Sequence, residues 1–325
     1  MTTTYPAITV VTGPGASRAE WLAARRQGIG GSDVAAILGL NRYKTPLAIW
    51  LDKTTEVDED STSEAAEWGN RIEPLLAARW DEAHPHDVTS PAPGLVARVD
   101  EPWMLATPDR LIYPCCGPDE GETHIWEGKT AGARQAHRWD DDAMPDEYAI
   151  QVRWYMTVTG ARRGHVSALI AGQKYVERTL EADDDFADML IRRVADWWGR
   201  HIIDGQMPQA DPERDGELLG ALWTTLDADR HDISDLADVV SDLRMVRAQM
   251  KNLAEIEARY IAELKVAMAD HTDGYIGDDL AITWRASKPR TSFDHKQLLA
   301  DDPETHARYV RAGSPVRSFL LKESK

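Results

Sequence analysis

Residues 103–129 read WMLATPDRLIYPCCGPDEGETHIWEGK, and no other stretch constrains the fold as much. An apolar run, 103–107, enters Pro108-Asp109, and a second, 123–126, enters Glu127-Gly128-Lys129. A connector rich in Pro, Gly and Asp between two such runs predicts a hairpin-like pair of strands. Pairing them brings Asp109 to Glu127, although the two lie far apart in sequence. Residues two apart on a strand share a face, so Glu127 and Lys129 are expected to point the same way. Two carboxylates and an ammonium in one small volume suit a hard divalent ion that keeps several of its waters. The lysine can orient or polarise a metal-bound water, or stabilise charge developing on a phosphate. A solvated hairpin with a surface ion pair carries the same letters, so the rest of the chain has to decide.

The chain of 325 residues is long enough for a sizeable core in one domain or two. No apolar run approaches the ~20 residues of a membrane span, and MTTTYPAITV lacks the basic-then-apolar layout of a signal peptide. The two cysteines, Cys115 and Cys116, are adjacent. That excludes a disulfide framework and fits a reducing cytoplasm. A net charge of −18 argues against a protein that coats nucleic acid, which should be basic. It leaves room for an enzyme with a local basic track. Residues 1–55 carry six Lys/Arg against three acids, and 151–180 carry five against one. The acidic excess sits elsewhere, as a steering field around one groove would require.

In chain order, residues 17–26 predict a short helix whose Ser17 and Glu20 form a capping box. Its basic end runs into Gln27-Gly28-Ile29-Gly30-Gly31-Ser32-Asp33 and a second helix. Backbone N–H groups and a hydroxyl at such a start suit an anion, with Arg25 and Arg26 just before it. Ser32 as a plain N-cap explains the same pattern. Residues 56–63 are an acidic polar loop. From 64 to 82 the chain predicts a helix with Trp68, Ile72, Leu75, Leu76 and Trp80 as its apolar stripe. Pro74 lies inside it, at a cost of ~3 kcal/mol, and Glu73 sits beside the stripe as either a presented or a surface carboxylate. His84 and His86 with Cys115 and Cys116 match no common zinc spacing. Residues 145–159 predict a helix with Gln151 on its flank. Strands follow at 166–170 and 174–180, then a helix at 183–201. Composition shifts at 204–216, read as a linker. Beyond it, Leu236, Leu243, Met250 and Leu264 recur in heptad register with Val239, Val246, Leu253, Tyr260 and Ala267, interrupted by Glu257. This predicts a long amphipathic helix paired with another helix, followed by a strand pair at 274–285 and a basic tail.

Four blocks together resemble the YqaJ-type phage recombinase nucleases, lambda exonuclease-like members of the PD-(D/E)XK superfamily. They are Arg26-Gln27-Gly28-Ile29-Gly30-Gly31-Ser32-Asp33, Gly69-Asn70-Arg71-Ile72-Glu73-Pro74, Thr107-Pro108-Asp109 with Glu127-Gly128-Lys129, and the run from Gln151 to Gly160. They stand in the family's order within residues 15–200. The resemblance implies an α/β fold, a PD-(D/E)XK core with a central mixed sheet flanked by helices. Its nuclease domain would span 1–203, with a linker at 204–216 and a helical, small-β extension at 217–325. It implies Asp109 and Glu127 as metal ligands, the Gly128 carbonyl as a backbone ligand, and Glu73 in or beside the first shell. Lys129 would activate the attacking water, Gln151 would orient a water or the scissile phosphate, and Ser32 with Arg26 would hold a 5′ phosphate. The implied cofactor is Mg²⁺, two ions, with Mn²⁺ able to substitute. The implied partners are double-stranded DNA ends, a phage single-strand annealing protein and further copies of the chain, as a trimer, in the cytoplasm of a host cell. Two departures stand out: Arg110 follows Asp109 where the family often has Gly, and Gly128 occupies a position that is commonly apolar. The expected activity is exonucleolytic resection to single-stranded tails, 5′ to 3′. An endonuclease on the same core, and a silent DNA-binding module, are the alternatives.

Overall fold

The computed structural model describes residues 8–55, 64–114, 121–222, 231–288, 291–311 and 319–322. The acidic loop at 56–63 and the cysteine pair lie outside the described residues. The chain divides into two compact units, Met1–Leu222 and Trp223–Lys325. Among the described residues no helix is long and apolar enough to cross a membrane.

The first unit begins with strand β1 (Ile8–Thr12) and helices α1 (Arg18–Arg26), α2 (Gly31–Ile37), α3 (Pro46–Thr54) and α4 (Glu64–Ala83). Strands β2 (Asp87–Pro91), β3 (Leu95–Arg98), β4 (Leu105–Ala106), β5 (Arg110–Pro114) and β6 (His124–Ala131) follow. A 3₁₀ turn at Ala133–Trp139 leads to α5 (Asp146–Thr159), β7 (Arg163–Ile170), β8 (Lys174–Glu181), α6 (Asp184–Trp198) and, after a short connection, α7 (Gly216–Leu222). The capping box is present at α1, where Glu20 accepts from the Ser17 N–H at 2.8 Å and returns its own N–H to the Ser17 hydroxyl at 3.3 Å. Helix α4 runs through Pro74. Its stripe is narrower than the periodicity predicts, because Leu76 and Trp80 are buried while Trp68 and Leu75 are exposed.

The main sheet has the order β2-β5-β6-β7-β8. Every pairing in it is antiparallel except β6 with β7. Parallel neighbours need a long crossover, and α5 lies within it. The hairpin differs from the expected one. Residues 105–106 pair with β3, and it is β5, starting after Asp109, that pairs with β6 in the register Arg110↔Trp126 and Ile112↔His124. The apolar run before Pro108 is thus a two-residue strand in a smaller sheet, order β1-β3-β4, whose β1 has no counterpart in the sequence reading.

Each face of the main sheet buries a different core. On one side, Trp126 of β6 and Ile112 of β5 pack with Leu76 and Trp80 of α4. On the other, Ile125 and Val166 join residues of α2, α5 and α6. Strand β6 shows the period of two directly: Trp126 faces α4, whereas Ile125 and Glu127 face α5. A central strand covered on both sides cannot slip by one residue without exchanging these sets.

The second unit contains α8 (Ala237–Met268), the hairpin β9 (Asp273–Ile276) and β10 (Asp279–Thr283), and two short helices, α9 (His295–Asp301) and α10 (Pro303–Tyr309). The long helix and the strand pair lie where the heptad and the apolar alternation place them.

Candidate active site

The alternation of β6 carries Glu127 and Lys129 to the α5 face, where the Lys129 ammonium sits 2.7 Å from Glu127 Oε1. Asp109 immediately precedes β5, next to β6, and the two strands exchange a pair of bonds through their acids. The Gly128 N–H donates to Asp109 Oδ2 at 2.9 Å, and the Asp109 N–H donates to Glu127 Oε2 at 3.3 Å. Gln151 of α5 donates from Nε2 to Glu127 Oε1 at 2.8 Å and to the Tyr155 hydroxyl at 3.1 Å. Tyr155 is buried and also bonded to Thr107. The Tyr148 ring, one turn before Gln151, lies 5.1 Å from the Lys129 ammonium.

Glu73 approaches from the other side of the sheet. A Cβ added to Gly128 would lie 3.4 Å from Glu73 Cγ and 3.0 Å from the Trp126 ring. The glycine between the acid and the lysine therefore leaves the space into which Glu73 reaches. Arg110 forms an ion pair with it, Nε to Oε1 at 3.3 Å. The residue that departs from the family pattern is thus tied to a third carboxylate.

Asp109 and Glu127 share this volume with the buried Lys129, Glu73 with Arg110 lies beside them, and the titration of the acids reflects it. Burial pushes Glu127 up to about 7, Lys129 opposing and Asp109 adding to the rise. Asp109 is raised by burial against the pull of Lys129, and Glu73 is raised by burial and by Asp109. Burial alone would lower Lys129, but Glu127 and Asp109 outweigh it and hold the ammonium well above its ordinary value. Lys129 is therefore held as a cation, suited to stabilising negative charge rather than to taking a proton.

These residues fit a divalent cation. The anionic groups of the site are all carboxylates, whose oxygens suit a hard ion, and each is held in a setting that disfavours its charge, which a positive ion would reverse. As they stand, no three His, Cys, Asp or Glu side chains among the described residues close on one point. Asp109 and Glu127 stand together here, and Arg110 holds Glu73 aside.

Ser32 is exposed on α2, and its neighbour Gly31 abuts α5. A Cβ there would stand 2.7 Å from Tyr155 and 2.9 Å from Gln151. The Ser32 hydroxyl accepts from Arg25 at 3.2 Å. Arg25 itself is not poised for an anion. It bonds Asp33 at 2.5 Å, and Lys53 closes on the same carboxylate at 2.9 Å. Arg26 is half-buried at the last residue of α1. Sequence reasoning missed Tyr155, Thr107 and the Arg25–Asp33–Lys53 cluster. Tyr155, one turn beyond Gln151, had a signal, since a hydroxyl at that spacing shares the face of the glutamine.

The YqaJ-like viral recombinase domain matches residues 20–162. The uncharacterized protein YqaJ of Bacillus subtilis (strain 168) is 31% identical over 317 residues, which are 94% of this chain and 95% of the relative. Among solved structures, an alkaline exonuclease from Laribacter hongkongensis is 17% identical with a TM-score of 0.45, over 56% of this chain and 91% of that one. A phage related exonuclease from Haemophilus somnus 129PT is 13% identical with a TM-score of 0.40, over 55% and 96%. On the full-length match to the Bacillus protein, this chain belongs to the YqaJ-like viral recombinase family.

Proposed function

We propose that the protein is a metal-dependent DNA nuclease that resects linear duplex from its ends, 5′ to 3′, leaving single-stranded tails for recombination. The observation that carries this reading is the convergence of Asp109, Glu127, Lys129 and Gln151 on one edge of β6, with the carboxylates disfavoured as anions. Asp109, Glu127 and the Gly128 carbonyl would hold Mg²⁺, or Mn²⁺ in its place. A bound ion, or two, supplies Lewis-acid polarisation of the phosphate and a more acidic water. Lys129 offers a fixed positive charge to the phosphoryl oxygens. Gln151, anchored by Glu127 and Tyr155, orients the groups in line. Ser32 would meet the 5′ phosphate, with Arg26 behind it, one helix away from Gln151.

A trimeric ring enclosing the duplex would keep a net-acidic enzyme on DNA without strong phosphate contacts. A single-strand annealing protein would take up its product. The endonuclease alternative draws on one observation: the Ser32 hydroxyl already has Arg25 as a partner, which weakens the case for end recognition. The deciding experiment offers linear duplex with 5′-phosphate or 5′-hydroxyl ends, beside a closed circle, with and without Mg²⁺. Resection of the phosphorylated linear duplex alone, only with metal, is expected. Cutting of the circle would move the assignment to an endonuclease, and inactivity on all substrates in Mg²⁺ and Mn²⁺ would end the nuclease reading.

A further inference from the structure

Helix α8 carries an apolar seam that the described residues of its own unit leave largely open. Of its 32 residues only Met268, at the C-terminal end, is buried. Met250 and Leu253, in the middle of the seam, are 65% and 63% exposed. Among the described residues its contacts lie at the C-terminal end, where Leu264 and Ala267 line a hollow against the hairpin, or at the rim. Met268 meets Gly274 of the hairpin, Lys265 lies over Trp284, Arg244 donates to the Lys322 carbonyl, and Arg247 lies over the ring of Phe319. A helix of ~48 Å, at 1.5 Å per residue, draws most of its stability in a protein from packing its apolar face. A seam repeating every 3.5 residues fits another helix.

We propose that the partner is α8 of a second copy of this chain, running antiparallel. The choice of direction rests on Glu257, the charged residue among the seam positions. In any parallel pair or trimer, Glu257 meets its own counterpart in the same layer, where water is largely excluded and like charges repel strongly. An antiparallel pair centred between residues 251 and 252 avoids this. Met250 then lies opposite Leu253 of the second copy, and Leu243 opposite Tyr260. Glu257 lies opposite Val246, with Arg247 of the second copy one residue further on. Every seam position from 236 to 267 finds a counterpart in this register, and the Glu257 to Arg247 match occurs twice. The opposing contribution is Asp242 facing Glu263 across the rim. Both are exposed, so that repulsion is screened. The parallel arrangement reverses the trade, gaining Asp242 against Arg247 at the rim while keeping the repulsion in the seam. The seam, being desolvated, decides.

Light scattering on the full chain at micromolar concentration tests the pairing. The native chain should show at least twice the mass of the variant Met250→Glu/Leu253→Glu, whatever assembly the first unit forms. Both positions are exposed, and circular dichroism checks that the variant keeps its helix. Glu257→Arg should also halve the mass, and adding Arg247→Glu should restore it. Equal masses for the native chain and the Met250/Leu253 variant would overturn the pairing. Failure of Arg247→Glu to restore the Glu257→Arg chain would overturn the antiparallel register.

Discussion

Two clusters of charge lie in the first unit, and they are opposites. Around Asp33, one buried carboxylate has two cations, Arg25 at 2.5 Å and Lys53 at 2.9 Å, and it accepts the Gly30 N–H at 3.1 Å. Burial alone would raise this acid, yet the two cations hold it down to about 2. Around Glu127, the ratio is reversed, with Asp109 and Glu127 sharing Lys129 while Arg110 is paired with Glu73, and burial raises Glu127 to about 7. Both clusters are desolvated, so the number of partners decides the sign. The first is complete and contributes to the fold. The second lacks positive charge, and a ligand would have to supply it.

The largest expected effect separates the two clusters by what they lose. Glu127→Gln or Lys129→Ala should lower single-turnover cleavage by about 10⁴-fold or more, ~5 kcal/mol of barrier, while the folded population persists in urea titration. A variant that keeps a tenth of native activity would place the chemistry elsewhere. Next, Asp33→Ala leaves Lys53 and Arg25 without their shared acid and should cost roughly 3–5 kcal/mol of stability, read from urea midpoints. A loss comparable to that of an ordinary surface substitution would remove the distinction between the clusters.

Metal should act on one cluster alone. Mg²⁺ at a hundred times its dissociation constant should stabilise the native chain by about 2.7 kcal/mol, seen as a rise in Tm, and chelation should reverse it. Glu127→Gln should abolish the shift and Asp33→Asn should keep it; the opposite pattern would exchange their roles. The smallest effect concerns pH. Asp33 titrates lower in the folded chain than in the unfolded one, so its contribution, on the order of 2 kcal/mol, is complete above pH 3.8 and lost as pH falls towards 2. The stability difference between the native chain and Asp33→Asn should therefore shrink across that interval, and a difference independent of pH would contradict the pairing.

Legibility in the sequence followed locality. The shared face of Glu127 and Lys129 needs only the period of a strand, and the heptads of α8 and the capping box of α1 are equally local. The identity of the partner strand was not readable. The run before Pro108 is more apolar than 110–114, yet β5 takes the place beside β6, because the backbone passes Asp109 before it pairs. Strand β1 was overlooked although Ile8, Val10 and Val11 are typical strand residues, since its four leading residues are exposed and it gives no alternation. The role of Asp33 depends on Lys53, an element away. Without that contact Arg25 reads as a phosphate ligand, whereas its charge is already committed. The same holds along 151–180, where Arg162 and Arg163 pair with Asp184 and Glu181 and Arg178 donates to backbone carbonyls. Counting cations in a sequence overstates the field that reaches solvent.

Gly31 has a mechanical consequence. With less than a methyl group's clearance between its Cα and the side chains of Gln151 and Tyr155, α2 and α5 have no slack at their crossing and behave as a lever with a rigid fulcrum. A displacement of α2 at Gly31 would therefore press on Gln151, which lies one hydrogen bond from Glu127.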